Sequence, residues 1–145
     1  MVTFSYPAKF TPESKGKGYV VAFDDLPEAL TGGRNLVEAR REASDCLGSA
    51  LAFRMIDKRP IPQPSRARKG QEYVQVPLSL APKLALYVAM QEQGVGNSEL
   101  ARQLKCRETV IRRMLDPKHA SRPEKLQAAL QALGKRILVR MDDAA

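Results

Sequence analysis

The side chains in this sequence that could do chemistry are few, and their spacing argues against most kinds of catalysis. There is one histidine, His119, and there are two cysteines, Cys46 and Cys106, sixty positions apart. Cysteines so distant, with no metal-type neighbour, do not make a zinc site, and two unpaired thiols suit a reducing compartment better than a disulfide framework. His119 follows Pro117-Lys118 and reads as an ordinary surface residue, with contact to a phosphate as the alternative. Asp24, Asp25 and Asp57 are the acids that could serve a metal-dependent nuclease. Asp24 and Asp25, however, stand in a turn with Pro27, where carboxylates commonly cap the backbone, and Asp57 falls near the far end of a long helix. No His–carboxylate pair, Ser/His/Asp set or Gly-rich phosphate loop accompanies them. No catalytic residue, metal or cofactor is therefore expected, and the chain reads as a non-enzyme.

The chemistry that the sequence does support is recognition. Asn97–Met114 (NSELARQLKCRETVIRRM) resembles a helix-turn-helix of the Cro/repressor type. Ala101 is small where a second helix must pass close to the first, and Leu100, Leu104, Cys106, Ile111 and Met114 are apolar where the two would bury a shared face. The polar residues left over, Arg107, Glu108, Thr109, Arg112 and Arg113, share the outer face of the second helix. A face with three arginines and a threonine suits a DNA major groove, where Arg reads guanine O6 and N7 in bidentate fashion. Lys118 follows as a backbone contact. One position departs from the pattern: Lys105 stands where such motifs usually have Gly, at a cost of about 1 kcal/mol if the backbone turns left-handed. The competing reading is a helical hairpin that packs only its own core, with Arg112 and Arg113 solvated.

Charge supports recognition of a polyanion. Net charge is +8 over 145 residues, but residues 1–57 carry −1, residues 58–78 carry +4 and residues 79–145 carry +5. The basic character belongs to the connection and the carboxyl half. No apolar run approaches the ~18–20 residues of a membrane helix, and MVTFSYPAKF has no basic region followed by an apolar stretch, so a cytoplasmic protein with no membrane partner is expected.

The elements that would position these residues fall into two halves. Residues 2–10 read as a strand bent at Pro7, 12–18 as a turn, and Tyr19–Phe23 as a second strand. A stub of strand at Ala29–Thr31 is broken by Gly32-Gly33, and Asn35 caps a helix from Leu36 to about Asp57. The helix stripe is Leu36, Ala39, Ala43, Leu47, Ala50, Leu51 and Met55. The Pro-rich basic stretch 60–70 is an exposed connection, and Tyr73–Val76 a last short strand. The order βββαβ predicts one small antiparallel sheet with a helix across one face, a domain over 1–76. Residues 79–145 read as an all-α domain. Its first helix, Ser79–Gln93, presents Leu80, Leu84 and Val88, with Ala81 and Ala85 beside them, and ends at Gly94. Ser98 caps a helix over 99–104, a third runs over 108–115 to Asp116-Pro117, and Pro123 starts a fourth. Ile137–Val139 reads as a short terminal strand.

Taken whole, the chain resembles the HicB family of antitoxins, specifically those with a carboxyl-terminal helix-turn-helix. The resemblance rests on Tyr6-Pro7-Ala8, the block from Gly18 to Pro27, Thr31-Gly32-Gly33 and Glu38-Ala39. It continues through Ala81–Tyr87, the motif above, and Ala132–Arg136, and so spans nearly all of the sequence. Leu30 and the unusually basic 64–70 depart from many relatives. The resemblance implies an α+β fold whose amino domain is a degenerate, ribonuclease-H-like unit without its catalytic carboxylates. It implies that this domain binds and silences a small basic HicA-type toxin that cuts mRNA. It further implies that the carboxyl domain represses its own operon on double-stranded operator DNA, as a homodimer or higher homo-oligomer. Asp24, Asp25 and Glu28 are the candidates for toxin contact. Two rivals stand: a stand-alone transcriptional regulator whose amino domain senses a small molecule, and a nuclease using Asp24 or Asp25.

Overall fold

In β1 (Ser5–Pro12) the apolar side chains of Tyr6, Ala8 and Phe10 alternate with Pro7, Lys9 and Thr11, the period of a sheet with one buried face. In the computed structural model, which describes residues 2–144, this strand lies inside a four-stranded antiparallel sheet of order β3-β2-β1-β4. Its neighbours are β2 (Tyr19–Phe23), which is itself flanked by β3 (Leu30–Gly33), and β4 (Gln71–Gln75). The register sets Tyr6 opposite Val74, Ala8 opposite Phe23 and Phe10 opposite Val21. Tyr6, Ala8, Val21, Phe23 and Val74 are buried, whereas Lys9, Val20, Ala22, Leu30 and Tyr73 on the other face are exposed, although Pro7 on that face is buried. Pro7 fits mid-strand because it pairs with Tyr73 of β4 while the ladder to β2 begins only at Ala8, leaving one flank where no donor is required.

The face so built is covered by α1 (Leu36–Ile56), capped by Asn35, whose side chain accepts from the Glu38 N–H. Ala39, Ala43, Leu47, Leu51 and Met55, each four apart, are buried along it. Gly32 and Gly33 do not break the third strand, as the sequence suggests, but belong to it, opposite Val20 and Tyr19. Close approach explains both glycines. A Cβ at Gly32 would lie 2.6 Å from the Tyr19 carbonyl oxygen, and one at Gly33 would run into the Ala39 backbone nitrogen of α1. Gly33 thus lets the helix sit directly on the strand. Gly33→Ala should destabilise this unit by about 1–3 kcal/mol, the usual cost of overpacking, read as a lower urea midpoint at unchanged m-value.

The chain divides into two compact units, one ending at Ala81 and one beginning at Pro82. The second is helical: α2 (Ala81–Gln93), α3 (Asn97–Leu104), α4 (Glu108–Leu115) and α5 (Pro123–Ala132). Its core joins Leu86, Ala89 and Met90 of α2 to Leu100, Ala101, Ile111, Met114, Leu126, Ala129, Leu130 and Leu133. The predicted stripe Leu80/Leu84/Val88 is therefore not the one that faces this core, and Val88 is only partly buried. Because α2 is apolar on nearly every side, periodicity alone could not choose the facing stripe. Pro123 opens α5, and left-handed glycines follow α2 and α5, with φ of +65° at Gly94 and +73° at Gly134.

Two further expectations are corrected here. Ser98 does not cap α3; Gly96 does, in extended conformation and without a side-chain bond, and its carbonyl accepts from the Leu100 N–H. The helix starts two residues earlier than the Ser signal implied, as glycine at the N-cap allows. Residues 137–139 form no strand. A strand needs a partner ladder, and among the described residues no strand belongs to this unit. Ile137 packs on the helical core, and Leu138 and Val139 are exposed.

Candidate functional site

The short helices α3 and α4 are positioned by what they bury. Leu100 and Ala101 of α3 and Ile111 and Met114 of α4 are buried, with Leu104, Cys106 and Val110 packed at the edge of the same cluster. Three residues, 105–107, join the helices. The turn closes as a left-handed cap: Lys105 has φ 53° and ψ 46°, and the Cys106 N–H reaches back to the Ala101 carbonyl at 3.0 Å, the closure typical of helix C-termini. Lys105 adopts the geometry that glycine would take freely. A left-handed non-glycine residue costs about 1–2 kcal/mol and glycine's greater unfolded entropy returns about 0.5–1. Lys105→Gly should thus raise stability by about 0.5–1 kcal/mol, seen as a higher thermal midpoint.

With that face buried, Arg107, Glu108, Thr109, Arg112 and Arg113 are all exposed. Arg107 is the extended N-cap of α4, and the Arg112 guanidinium pairs with Glu108 one turn back at 2.9 Å. The following turn is organised by Asp116, which accepts from the Lys118 N–H at 2.9 Å through its carboxylate and from the His119 N–H at 3.1 Å through its carbonyl. Lys118 is thereby held just beyond the end of α4. The imidazole of His119 lies 3.4 Å from the Ser121 hydroxyl, exposed. All six predicted DNA-facing residues thus sit on one short helix, its N-cap and its following turn.

One residue that sequence reasoning passed over belongs to this region. Lys83 of α2 is buried, and its ammonium donates to the Arg113 carbonyl (2.9 Å), the Met114 carbonyl (3.1 Å) and the Ser121 hydroxyl (2.8 Å). Burial pulls its pKa below the ordinary lysine range, against a smaller opposing effect of Asp116. A signal was present: Lys83 is the sole charged residue of α2 before Glu92, so it had to be carried on a helix with almost no polar side.

The acidic candidates of the first unit are less free than their turn suggests. Asp24 accepts from the Gln71 side chain at 3.0 Å. Asp25 accepts from both the backbone N–H and the hydroxyl of Ser65, at 2.8 and 3.1 Å. Glu28 takes a bidentate pair from Arg54 at 2.6 and 3.0 Å, which holds its carboxyl below the usual range. Tyr6, with its hydroxyl on the Pro62 carbonyl at 2.7 Å, has its pKa pushed up to about 12, mainly by burial and then by Asp25. Ala67 N–H donates to the Tyr73 hydroxyl. The Pro-rich stretch 60–70 is consequently an exposed but fastened strap, and Asp25 and Tyr6 are its anchors. Asp57 is the C-cap residue of α1. Among the described residues, no three His, Cys, Asp or Glu side chains stand together as a metal could require, and no helix is long and apolar enough to cross a membrane.

Comparison with known proteins adds to this geometry. Residues 5–85 match a family model described as the HicB-like antitoxin of bacterial toxin–antitoxin systems. The chain is 42% identical over 132 residues to Antitoxin HicB 2 of Photorhabdus laumondii subsp. laumondii, covering 91% of this chain and 92% of that one. It is 38% identical over 132 residues to Antitoxin HicB of Escherichia coli K12, covering 91% and 95%. With Antitoxin HicB of Pseudomonas fluorescens it shares 34% identity over 121 residues, 83% of each.

Proposed function

As this chain belongs to the HicB-like antitoxin family, we propose that it neutralises a HicA-type, RNA-cleaving toxin through its first unit and represses its own operon through its second. The observation that carries the second half of this reading is the outer face of α4. Arg107, Glu108, Thr109, Arg112 and Arg113 are exposed together, with Lys118 in the next turn, on the basic half of the chain. Their partners Leu100, Ala101, Ile111 and Met114 are committed to the core, so the face is rigidly presented. In this reading α4 is the recognition helix of a helix-turn-helix and α3 crosses behind it. Phosphate contacts from Lys118 and Arg107 set register, and Arg112, Arg113 and Thr109 read base edges.

The toxin partner follows from the family and from charge. Within the first unit, residues 1–57 carry −1 and hold Asp24, Asp25, Glu28, Glu38, Glu42 and Asp45, although the basic strap brings the whole unit to +3; such local acids complement the basic surface an RNA-binding protein must carry. The discriminating experiment is a search beside the gene for a short reading frame encoding a basic protein, and co-expression with its product. The reading expects a stable complex, recovery of growth, and retardation of the promoter duplex by the antitoxin. A chain that neither binds that product nor retards its promoter is not what is proposed here.

A single recognition helix spans few base pairs, so repression calls for two copies on half-sites about one helical turn apart. The tail supplies a candidate contact: Leu138, Val139 and Met141 are 65%, 93% and 96% exposed, an apolar run with β-strand character that finds no ladder within the described residues of its own unit. Pairing of this run across a two-fold axis would give it one. The whole chain should sediment as a dimer or larger at micromolar concentration, and a version ending at Ile137 as a smaller species. Equal sedimentation of the two excludes the tail as the contact.

A further inference from the structure

Among the described residues Lys83 is the one charged side chain that is fully buried, at 3% exposure. An ammonium has three protons and no acceptor, and here each proton has its own oxygen: Arg113 O, Met114 O and Ser121 Oγ. The two carbonyls lie in the last turn of α4, where helix geometry leaves carbonyls short of their i+4 partners, although that of Arg113 also accepts from the Asp116 N–H at 3.2 Å. A cation there also complements the negative end of the helix dipole. Ser121 belongs to the turn that carries Lys118 and His119, and its hydroxyl lies 3.4 Å from the Arg113 carbonyl as well. One ammonium therefore ties together α2, the end of α4 and the 116–121 turn.

We propose that Lys83 is a positioning residue for sequence discrimination, fixing the angle and depth at which α4 offers Arg112 and Arg113 relative to the anchor at Lys118. The inference rests on the reading of α4 as a recognition helix. Its physical basis is the difference in tolerance between two kinds of contact. Bidentate bonds to a base edge survive only within about 2.7–3.2 Å and near-linear angles, so a shift of about 1 Å in the helix end removes them. Attraction to phosphates falls off over about 8–10 Å in physiological salt and survives such a shift. Lys83 is buried, touches no solvent-facing anion, and cannot itself neutralise a phosphate. Loss of its ammonium should hence lower specific binding and leave non-specific binding nearly intact.

The test uses the full chain, with its own promoter duplex as the specific probe and a scrambled duplex of equal length as the non-specific one. Lys83→Met keeps the side-chain length and removes the three donors. Folded K83M, judged by circular dichroism and a cooperative melt, should bind the promoter roughly tenfold more weakly, while the scrambled duplex changes by less than about threefold and the salt slope is unaltered. Ser121→Ala removes one acceptor and leaves the two helix carbonyls in place. It should lose discrimination by roughly threefold, and it carries the test if K83M does not fold. A folded variant that discriminates as well as the parent, or one that weakens both probes equally, overturns the proposal. A parent that does not discriminate at all overturns instead the assignment of α4 to DNA, a separate and recognisable outcome.

Discussion

Replacing Arg112 and Arg113 together with alanine should abolish the preference for the promoter over scrambled DNA while leaving the fold intact. Both side chains leave α4 on its exposed face, so their removal costs the core nothing. Each should contribute ~1–3 kcal/mol if it reads a base, a factor of about 5 to 150 for each. The ion pair between Arg112 and Glu108, 2.9 Å apart with side chains 63% and 43% exposed, does not compete seriously. Such exposed pairs are worth ~0.2–1 kcal/mol, less than a bidentate contact to guanine, so Arg112 exchanges its carboxylate for a base at small cost. Glu108→Gln should accordingly bind at least as tightly as the parent, with one negative charge fewer beside the phosphates. The single arginine variants separate roles. A base-reading arginine relaxes preference at one base pair, whereas one that meets a phosphate weakens all sequences alike and lowers the salt slope by about one. Promoter binding by the double variant as tight as the parent's would mean that α4 is not the reading element.

A fragment ending at Ala81 should restore growth in cells making the cognate toxin, yet fail to repress the promoter. The fragment ends at Ala81 because the first compact unit extends that far. The Val76 N–H donates to the Phe4 carbonyl, and the Leu80 and Ala81 N–H groups both return to the carbonyl of Pro77. Pro77 itself fills the space over Gly48, where a Cβ would come within 2.9 Å of its ring. Within this unit the proposed acids do not act alike. Asp25 holds Ser65 of the strap and Glu28 holds Arg54, so Asp25→Ala should loosen residues 60–70 more than it changes the charge seen by a toxin. Rim charges mainly set association rate. Single substitutions should therefore slow binding modestly, and reversal of several acids should slow it strongly at low salt. Rescue that requires the second unit, with no complex between the fragment and purified toxin, would remove the proposed division of labour.

Much of the architecture was legible because it is written in local patterns. The strand Tyr19–Phe23, the helix Glu108–Leu115, the cap at Asn35 and the helix start at Pro123 were all readable from alternation, helical spacing or capping chemistry. These depend on residues a few positions apart. The same holds for the left-handed turn at Lys105, where the motif demanded glycine's geometry and the backbone adopts it, φ 53°, with a lysine in place. The family, too, was readable from blocks of sequence, and the comparisons with known antitoxins agree.

What only the tertiary structure decided are the features set by residues far apart in the chain. Gly32 and Gly33 read as a break, since glycine weakens a strand on its own. They are strand because the Tyr19 carbonyl and the Ala39 backbone leave no room for a Cβ. The acids of the Asp24–Glu28 turn read as local backbone caps and candidate toxin contacts, and the partners that hold Asp25 and Glu28 are Ser65 and Arg54, 40 and 26 residues away. Lys83 was passed over in the sequence, and its place is set by the Arg113 and Met114 carbonyls 30 and 31 positions on. In each case the side chain's own pattern is satisfied by several environments, and the three-dimensional neighbour selects among them. Residue type and spacing decide what a segment can be; the atoms brought against it decide which groups are spent on holding the fold and which remain to meet a partner.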